Sequence, residues 1–478
     1  MNKKGKRCMD FKKNQEITLK IDDIGNHGEG IGHVDGYALF VKGALPGETI
    51  RAKIMKCRKN FGFARMIEVV PEDAGSDVGR VTPQCPVAGP CGGCTLQHLS
   101  YEKQLAFKEK KVSDCLERIG GVDVSSVERL PILGMDEPWH YRNKAQFPVR
   151  MQTDETGKPY PAAGFYAGRT HHIIPVTDCA IQDACMKEVL ETVLLWMGEC
   201  GIPAYDEEKH SGTVRHIYIR RAYHTGQIMT CLVINASRLP ADAEDALIQK
   251  LKEIQGMTSI SLNVNTQKTN VILGSNMRFL WGEEGIEDTI GTIRFRISAQ
   301  SFFQVNPLQT EKLYETALAF AELTGRETVW DLYCGIGTIS LFLARKAKRV
   351  YGVEIVPEAV ENAKENARRN GILNVEFFCG AAESVVPEQM SEGIGMEERS
   401  ADVVVVDPPR KGCEASLLAT IVKMMPERIV YVSCDPATLA RDVKILGENG
   451  YGVKKVRACD MFPQGAGVET VVQLRRKR

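Results

Sequence analysis

Between residues 328 and 433 the chain repeats one pattern: a short apolar run, then a helical stretch. The runs are Thr328-Val-Trp-Asp-Leu332, Arg349-Val-Tyr-Gly-Val-Glu354, Val375-Glu-Phe-Phe378, Ala401-Asp-Val-Val-Val-Val-Asp407 and Arg428-Ile-Val-Tyr-Val-Ser433. Strands this apolar suit a parallel sheet covered on both faces, and the intervening helices supply the crossovers. Residues 300–478 are therefore read as a doubly wound α/β domain, whose ligands bind at the carboxyl ends of the strands. At 478 residues the chain is too long for one compact domain, so two to four are predicted.

Upstream the pattern changes. Ile17-Thr-Leu-Lys-Ile21, Ala38-Leu-Phe-Val41, Thr49-Ile-Arg-Ala-Lys-Ile54 and Phe63-Ala-Arg-Met-Ile67 read as short strands separated by Gly and Pro turns. Four such strands over residues 12–71 suggest a small barrel. Its segments Gly28-Glu-Gly-Ile-Gly-His33 and Lys42-Gly-Ala-Leu-Pro-Gly-Glu48, both read as turns, resemble those of the TRAM domain, an OB-like RNA-binding module. Lys56, Arg58, Lys59, Phe61 and Phe63 interleave charge and aromatic rings, a mixture that suits phosphate contact plus base stacking. Residues 72–299 read as an α+β middle domain. It opens with a cysteine-rich loop and a charged amphipathic helix from Thr95 to Gly120, and includes strands at His216–Ala222 and Gln227–Ile234.

Net charge is zero, but residues 1–70 hold 14 Lys/Arg against 8 Asp/Glu, and Arg475 to Arg478 are all basic. Both ends favour a polyanion. No apolar run reaches the length of a spanning helix, and Met1 to Arg7 is basic without an apolar segment. A cytoplasmic protein is expected, with no membrane association and no obligate protein partner. In a reducing compartment the fifteen cysteines are free, catalytic or metal-bound.

The first strand of the α/β domain ends in Asp331-Leu-Tyr-Cys-Gly-Ile-Gly-Thr-Ile-Ser340. Gly335 and Gly337 permit a tight turn and close approach to a ligand. Glu354 ends the next strand, where a carboxylate can accept from ribose hydroxyls. A dinucleotide usually wants a third glycine where Ser340 stands. The acidic Asp331 suits the cationic S-adenosylmethionine, as in class I methyltransferases.

The fourth strand ends in Asp407-Pro-Pro-Arg410 and the fifth in Tyr431-Val-Ser-Cys-Asp-Pro436, so Cys434 also lies at the ligand edge. In methyltransferases that act on exocyclic amines, an aromatic side chain follows a related Pro-Pro pair. Arg410 occupies that position and disfavours amine chemistry. A Cys suits another reaction. Carbon 5 of uracil is a poor nucleophile, but thiolate attack on carbon 6 makes an enolate that can accept a methyl group. A modest environmental shift of the thiol would supply the thiolate. A base must then remove the carbon 5 proton, and Glu469 is placed for that. One aromatic shelf, Phe302 or Phe303, is expected for a flipped base.

The ordered set Gln300-Ser-Phe-Phe-Gln-Val-Asn306, Asp331–Gly337, Asp407–Arg410, Ser433-Cys-Asp435 and Asp460-Met-Phe-Pro463 resembles the RNA uracil-5 methyltransferases of the RumA/TrmA type. The resemblance implies Cys434 as nucleophile and Glu469 as proton acceptor. It implies Gln304, Tyr333, Gly335, Gly337, Glu354 and Asp407 at the cofactor and uracil, with Thr338 and Ala381 where relatives often carry Asn. Gly467-Val468 precedes Glu469 where relatives often have a His, so the base loop departs from the pattern.

Cys85, Cys91 and Cys94 have only one Cys-x2-Cys unit, unlike a paired zinc site. Three clustered thiolates with one distant, Cys179 or Cys185, suit a [4Fe-4S] cluster. The resemblance implies Cys179. It also implies the 23S ribosomal RNA (RlmD/RlmCD-like) members as nearest, because transfer-RNA members typically lack barrel and cluster. The expectation is thus a 23S rRNA uracil-5 methyltransferase that uses S-adenosylmethionine and carries a [4Fe-4S] cluster. A tRNA uracil-5 enzyme is an alternative. A cytosine-5 enzyme would want a Pro-Cys after strand four. A catalytically dead RNA-binding iron–sulfur protein would have lost Cys434, Glu469 or Glu354.

Overall fold

The computed structural model describes residues 11–70, 78–168, 170–391 and 400–477. The basic residues of Met1 to Arg7, and Arg478, lie outside them. The chain divides into two compact units: Met1–Lys111 with Phe462–Gly467, and Val112–Met461 with Val468–Arg478.

In the first unit, β1 (Glu16–Ile24), β2 (Glu29–Val34), β3 (Tyr37–Lys42), β4 (Thr49–Cys57) and β5 (Phe61–Val69) close into a barrel in the order β1-β2-β3-β5-β4. Alternating residues Leu19, Ile21, Leu39, Val41, Ile50 and Ala52 fill it. The segment Gly28–His33, read as a turn, is mostly strand β2. Its glycines serve close packing: a Cβ on Gly32 would lie 2.3 Å from Lys20 O, and one on Gly30 2.7 Å from Ala44 O. Helix α1 (Tyr101–Arg118) begins six residues later than the sequence pattern predicts, because Thr95 and Leu96 donate their backbone N–H groups to Gln464 O rather than entering a helix.

The second unit opens with the last turns of α1 and β6 (Glu128–Leu133). It then runs β7 (Lys144–Thr153), β8 (Pro159–Tyr166), β9 (Ile173–Pro175), α2 (Cys185–Glu199), β10 (Val214–Arg221), β11 (Ile228–Ile234), α3 (Ala241–Lys252), β12 (Met257–Val264) and β13 (Asn276–Gly282). Strands β7 to β13 form a seven-stranded sheet, order β13-β12-β11-β10-β7-β8-β9. Val189, Val193 and Trp196 of α2, with Leu247 and Leu251 of α3, bury against Phe147, Ile217, Ile219 and Leu232. This is the α+β region expected between barrel and α/β domain.

A hairpin, β14 (Ile286–Ile290) and β15 (Ile293–Ile297), leads to α4 (Pro307–Ala321). Then come β16 (Thr328–Leu332), α5 (Thr338–Ala344), β17 (Arg349–Glu354), α6 (Pro357–Arg369), β18 (Val375–Cys379), α7 (Ala382–Ser391), β19 (Val403–Val406), α8 (Ala415–Met424), β20 (Arg428–Ser433), α9 (Pro436–Glu448), β21 (Tyr451–Cys459) and β22 (Glu469–Arg476). The sheet order is β18-β17-β16-β19-β20-β22-β21-β6. Strands β16 to β20 are parallel, and β22 inserts antiparallel between β20 and β21. The order reverses between β16 and β19, the switch point where an open α/β sheet offers a crevice. Strand β6, from far upstream, pairs parallel with β21. Among the described residues no helix is long and apolar enough to cross a membrane.

Candidate active site at the carboxyl edge of the sheet

Strand β16 delivers Asp331 and then turns sharply. Tyr333, Gly335 and Gly337 all have left-handed backbones (φ 72°, 54° and 83°). A Cβ on Gly337 would press to 3.0 Å of the Phe377 ring, whereas one on Gly335 would meet nothing within 4 Å. The loop is thus packed on one side and open on the other. Tyr333 N and Cys334 N donate to Val353 O at 3.0 and 3.1 Å. Glu354 at the end of β17 locks the neighbouring turns, its carboxylate accepting from Gly335 N at 3.1 Å and Val356 N at 2.9 Å.

Asp331 is fully buried. Ser340 Oγ donates to its Oδ2 at 2.5 Å, while Oδ1 has no partner. Burial, with the Glu354 charge behind it, pushes the Asp331 carboxyl up to about 7. A buried carboxylate oxygen without a donor, beside a cradle open at Gly335, fits a ligand with a positive centre. Thr338 Oγ1 lies 3.1 Å from Tyr314 OH. Ala381, just before α7, has only a methyl side chain, and its carbonyl accepts from Ser384 N and Val385 N.

Strand register assembles the rest. Val406 lies opposite Leu332 and Tyr431, so Asp407 follows at the same edge. Ser433 lies opposite Thr470. Cys434, one residue after Ser433, and Glu469, one residue before Thr470, therefore occupy adjoining strand ends. The Cys434 thiol is pushed up to about 11, first by burial, then by the charges of Glu469 and Asp407; Arg410 opposes them. The thiol form is thus favoured, against the modest shift toward thiolate expected from sequence, because burial and then the two neighbouring carboxylates disfavour the anion. Glu469 is buried, and desolvation plus the Asp407 charge push its carboxyl well above the usual range, again against Arg410. Asp407 keeps a partly exposed edge, yet the surrounding protein removes enough solvent to push it up too, with Asp331 adding to the effect.

The loop after Asp407 is tied to the helix after Cys434. Asp435 caps α9, accepting from Ala437 N and Thr438 N at 2.9 and 3.2 Å. Thr438 Oγ1 donates to Arg410 O at 3.1 Å. Buried Asp442 accepts from Tyr431 OH (2.6 Å), Cys413 N (2.8 Å) and Arg441 Nε (2.8 Å). Arg441 Nη2 also reaches Lys411 O at 2.9 Å. A Cβ on Gly412 would fall 2.6 Å from both Arg441 Nη2 and Asp442 Oδ2, so only glycine lets the loop close here.

The segment before α4 separates the two phenylalanines. Phe303 is 2% exposed and packs on Phe295, whereas Phe302 is 68% exposed. Gln304 is buried, and its carbonyl accepts from Asn143 Nδ2 at 3.2 Å. Arg220 pins the same segment through Ser298 O and Ser301 O. Sequence reading passed over Tyr314. It is buried in α4, its hydroxyl bonded to Thr338 and its surroundings shared with Asp407, Asp331 and Glu469. A tyrosine at helical spacing from Ala317, Leu318 and Ala321 was the available signal, since a buried hydroxyl needs a partner.

A sequence profile of the tRNA (Uracil-5-)-methyltransferases matches residues 226–477, and one of the TRAM domain matches residues 10–67. The chain belongs to the tRNA (uracil-5-)-methyltransferase family. It is 50% identical to an uncharacterized RNA methyltransferase of Clostridium acetobutylicum, over 98% of this chain and 99% of that one. It is 51% identical to another of Halalkalibacterium halodurans, over 97% and 98% respectively. The crystal structure of Pyrococcus abyssi tRNA (uracil-54, C5)-methyltransferase in complex with S-adenosyl-L-homocysteine superposes with a TM-score of 0.73 at 27% identity, covering 96% of this chain and 100% of that one.

Membership in this family corrects the RNA class. The 23S rRNA, RlmD/RlmCD-like assignment gives way, because both the family profile and the full-length structural match are those of tRNA enzymes. The ribosomal reading needed barrel and metal cluster together, and a barrel alone reads a polyanion, not which RNA carries it. The [4Fe-4S] expectation falls as well. Among the described residues no three His, Cys, Asp or Glu side chains are grouped to hold a metal ion. Cys91 accepts from Gly93 N at 3.4 Å, and burial raises its thiol, with the nearby Cys85 adding to the rise. The S-adenosylmethionine expectation stands, supported by the relative bound to S-adenosyl-L-homocysteine.

Proposed function

We propose that this chain methylates carbon 5 of a uridine in tRNA, with Cys434 as covalent nucleophile and Glu469 as base. The observation that carries this reading is the register of β20 and β22, which sets Cys434 and Glu469 at adjoining strand ends beside Asp407 and Arg410. A cytosine-5 enzyme lacks support, because Arg410 rather than a cysteine directly follows Asp407-Pro-Pro, and Cys413 is out of place for a Pro-Cys pair.

S-adenosylmethionine would be held by Gln304, Tyr333, Gly335, Gly337, Thr338, Glu354, Ala381 and Asp407, and when bound it supplies a methyl group activated by its sulfonium. Asp331, with one unpartnered oxygen, favours the positive charge from below the loop. Glu354, already fixing two backbone N–H groups, is oriented for ribose hydroxyls. Phe302 is the exposed ring on which a flipped uracil can stack.

Cys434 Sγ bonds to uracil carbon 6 as its proton passes to Asp407, which leaves Glu469 ionised for the later step. Arg410 counters their charge, favours thiolate and stabilises the enolate oxygen. After carbon 5 has been methylated, Glu469 takes its proton, the carbon 5–carbon 6 double bond reforms and Sγ leaves. Burial suits Glu469 to this, since a carboxylate raised toward neutrality is a stronger base than one in water. In this reading residues 12–71 bind RNA, 72–299 shape the substrate cleft, 300–478 carry the chemistry, and the enzyme works on RNA in the cytoplasm. Incubation of unmodified tRNA and rRNA with methyl-labelled cofactor tests it. Labelled 5-methyluridine in tRNA is expected, and label in rRNA alone would overturn the substrate assignment.

A further inference from the structure

Strand β10 divides its side chains between two environments. Ile217 and Ile219 bury with residues of α2 and α3, so Tyr218 and Arg220 point to the opposite face of the seven-stranded sheet. Arg220 is buried there, its Nη1 donating to Ser298 O at 3.2 Å and its Nη2 to Ser301 O at 3.0 Å. The register of β7 and β10 sets Lys144 directly opposite Arg220, on that same face. Burial, then the charges of Arg220 and Arg142, pull the Lys144 ammonium down to about 8, and no carboxylate offsets them. Among the described residues neither the Lys144 nor the Arg142 side chain has a hydrogen-bond or ion-pair partner. Arg221, by contrast, is paired with Asp183 at 3.2 Å. Like charges directly opposite each other weaken a sheet, so Lys144 gives the fold nothing that a neutral side chain would not give better.

The segment beside these cations is the one that carries Phe302. Ser301, before it, is held by Arg220. Gln304 and Val305, after it, are held by Asn143, the residue before Lys144: Asn143 Nδ2 donates to Gln304 O at 3.2 Å and Asn143 N to Val305 O at 2.9 Å. The exposed ring thus stands between two anchors that are the neighbours of Lys144 in register and in sequence. We propose that Lys144, with Arg142, forms the subsite for an RNA phosphate next to the flipped uridine, the anion these two cations lack within the chain. This rests on the reading that a tRNA uracil stacks on Phe302. Such a contact carries no base information; it sets the register of the backbone so that the base reaches the ring.

The test uses the full-length protein. Wild-type enzyme, unmodified tRNA and methyl-labelled cofactor first map the labelled uridine. tRNAs are then assembled with a neutral methylphosphonate replacing the phosphate on the 5′ or the 3′ side of that uridine. At one of the two positions the wild-type Kd should rise about tenfold. Lys144→Met should raise the Kd for ordinary tRNA by about the same factor and no longer distinguish phosphate from methylphosphonate at that position. Its plot of log Kd against log salt should flatten by about 0.7–0.9. Lys144→Arg, which keeps the charge, should bind within about threefold of wild type. A merely structural lysine would not single out one linkage. Indifference of the wild type to both methylphosphonates would overturn the proposal, and that measurement needs no variant to fold. So would a Lys144→Met protein that still loses tenfold at the same linkage. If no tRNA uridine is labelled, the functional reading fails and takes the subsite with it; if label appears and Lys144→Met discriminates as wild type does, only the subsite fails.

Discussion

The strand ends that carry Cys434 and Glu469 sit side by side in the sheet but are held in different ways. Cys434 follows a parallel strand and precedes a capped helix, and its loop is fixed by Asp435, Thr438, Arg441 and Asp442, all within fifteen residues of it or on the adjoining Arg410–Cys413 loop. Glu469 begins an antiparallel strand, and the residues before it are fixed by Gln104, Lys108 and Lys111, more than three hundred and fifty positions earlier. The loop after Cys434 is thus held by nearby chain and the segment before Glu469 by distant chain, while Glu469 itself is placed by its pairing with Cys459. The proposed reaction also has two halves, making and then breaking the Sγ–carbon 6 bond, one assigned to each residue.

The largest test of that separation is Cys434→Ala. It should abolish the covalent adduct and reduce turnover by at least about 10⁴-fold, read by label transfer to tRNA. Wild-type turnover would remove Cys434 from the mechanism. Next, Glu469→Gln should cut turnover by about 10²–10⁴-fold while methylated adduct accumulates on a denaturing gel. The contrast is sharp: one variant never enters the adduct and the other never leaves it. Asp442→Asn strips the charge from the carboxylate that ties α9 to the Arg410 loop. Adduct formation should slow by about 10–100-fold with decay unchanged, the opposite pattern to Glu469→Gln. Equal slowing of both steps would collapse the distinction. Arg410→Met removes the cation that opposes the carboxylates, so the pH at which attack becomes fast should move upward, and attack at pH 7.5 should fall by about tenfold.

The smallest effect concerns stability. Asp331, Asp407 and Glu469 have folded-state pKa values raised above their unfolded ones. Their contribution is present below pH 4 and is lost as pH rises through about 7 and above. The Tm of the ligand-free protein should therefore fall between pH 5.5 and 8.5. Asp407→Asn, which never ionises, should lessen that fall by roughly 2–4 °C per kcal/mol of relief. An unchanged slope would show that Asp407 is not desolvated.

The sequence carried the five parallel strands β16 to β20 nearly residue for residue, because buried parallel strands are continuous apolar runs bounded by helices, but not β6, β21 or β22 of the same sheet. Strands β16, β17 and β20 begin and end where the pattern placed them. Strand β2 was hidden, since Gly30 and Gly32 mimic a turn when they answer a packing demand visible only with Lys20 and Ala44 in place. The start of α1 was misplaced for a related reason: Thr95 and Leu96 pair with Gln464, a partner that no local window contains. Cysteine spacing misled for the converse reason. It shows which thiols are near in sequence, and the grouping it suggested does not form among the described residues. The strand-end positions of Asp331, Asp407, Cys434 and Glu469 were legible, whereas the hydrogen bonds of Tyr314 to Thr338 and of Gln104 to Gln464, each to a partner distant in sequence, were not.

Strand β6 also bears on how the protein is made. Glu128 pairs with Lys455, so the edge of the catalytic sheet is laid down early in synthesis and completed only near its end. On the ribosome β6 must wait, unpaired, while the whole seven-stranded middle region emerges and folds between the halves of its host sheet. A waiting strand is open to mispairing. Residues Glu128-Arg-Leu-Pro-Ile-Leu133, with two charges and a proline, make a poor template for any strand but their own.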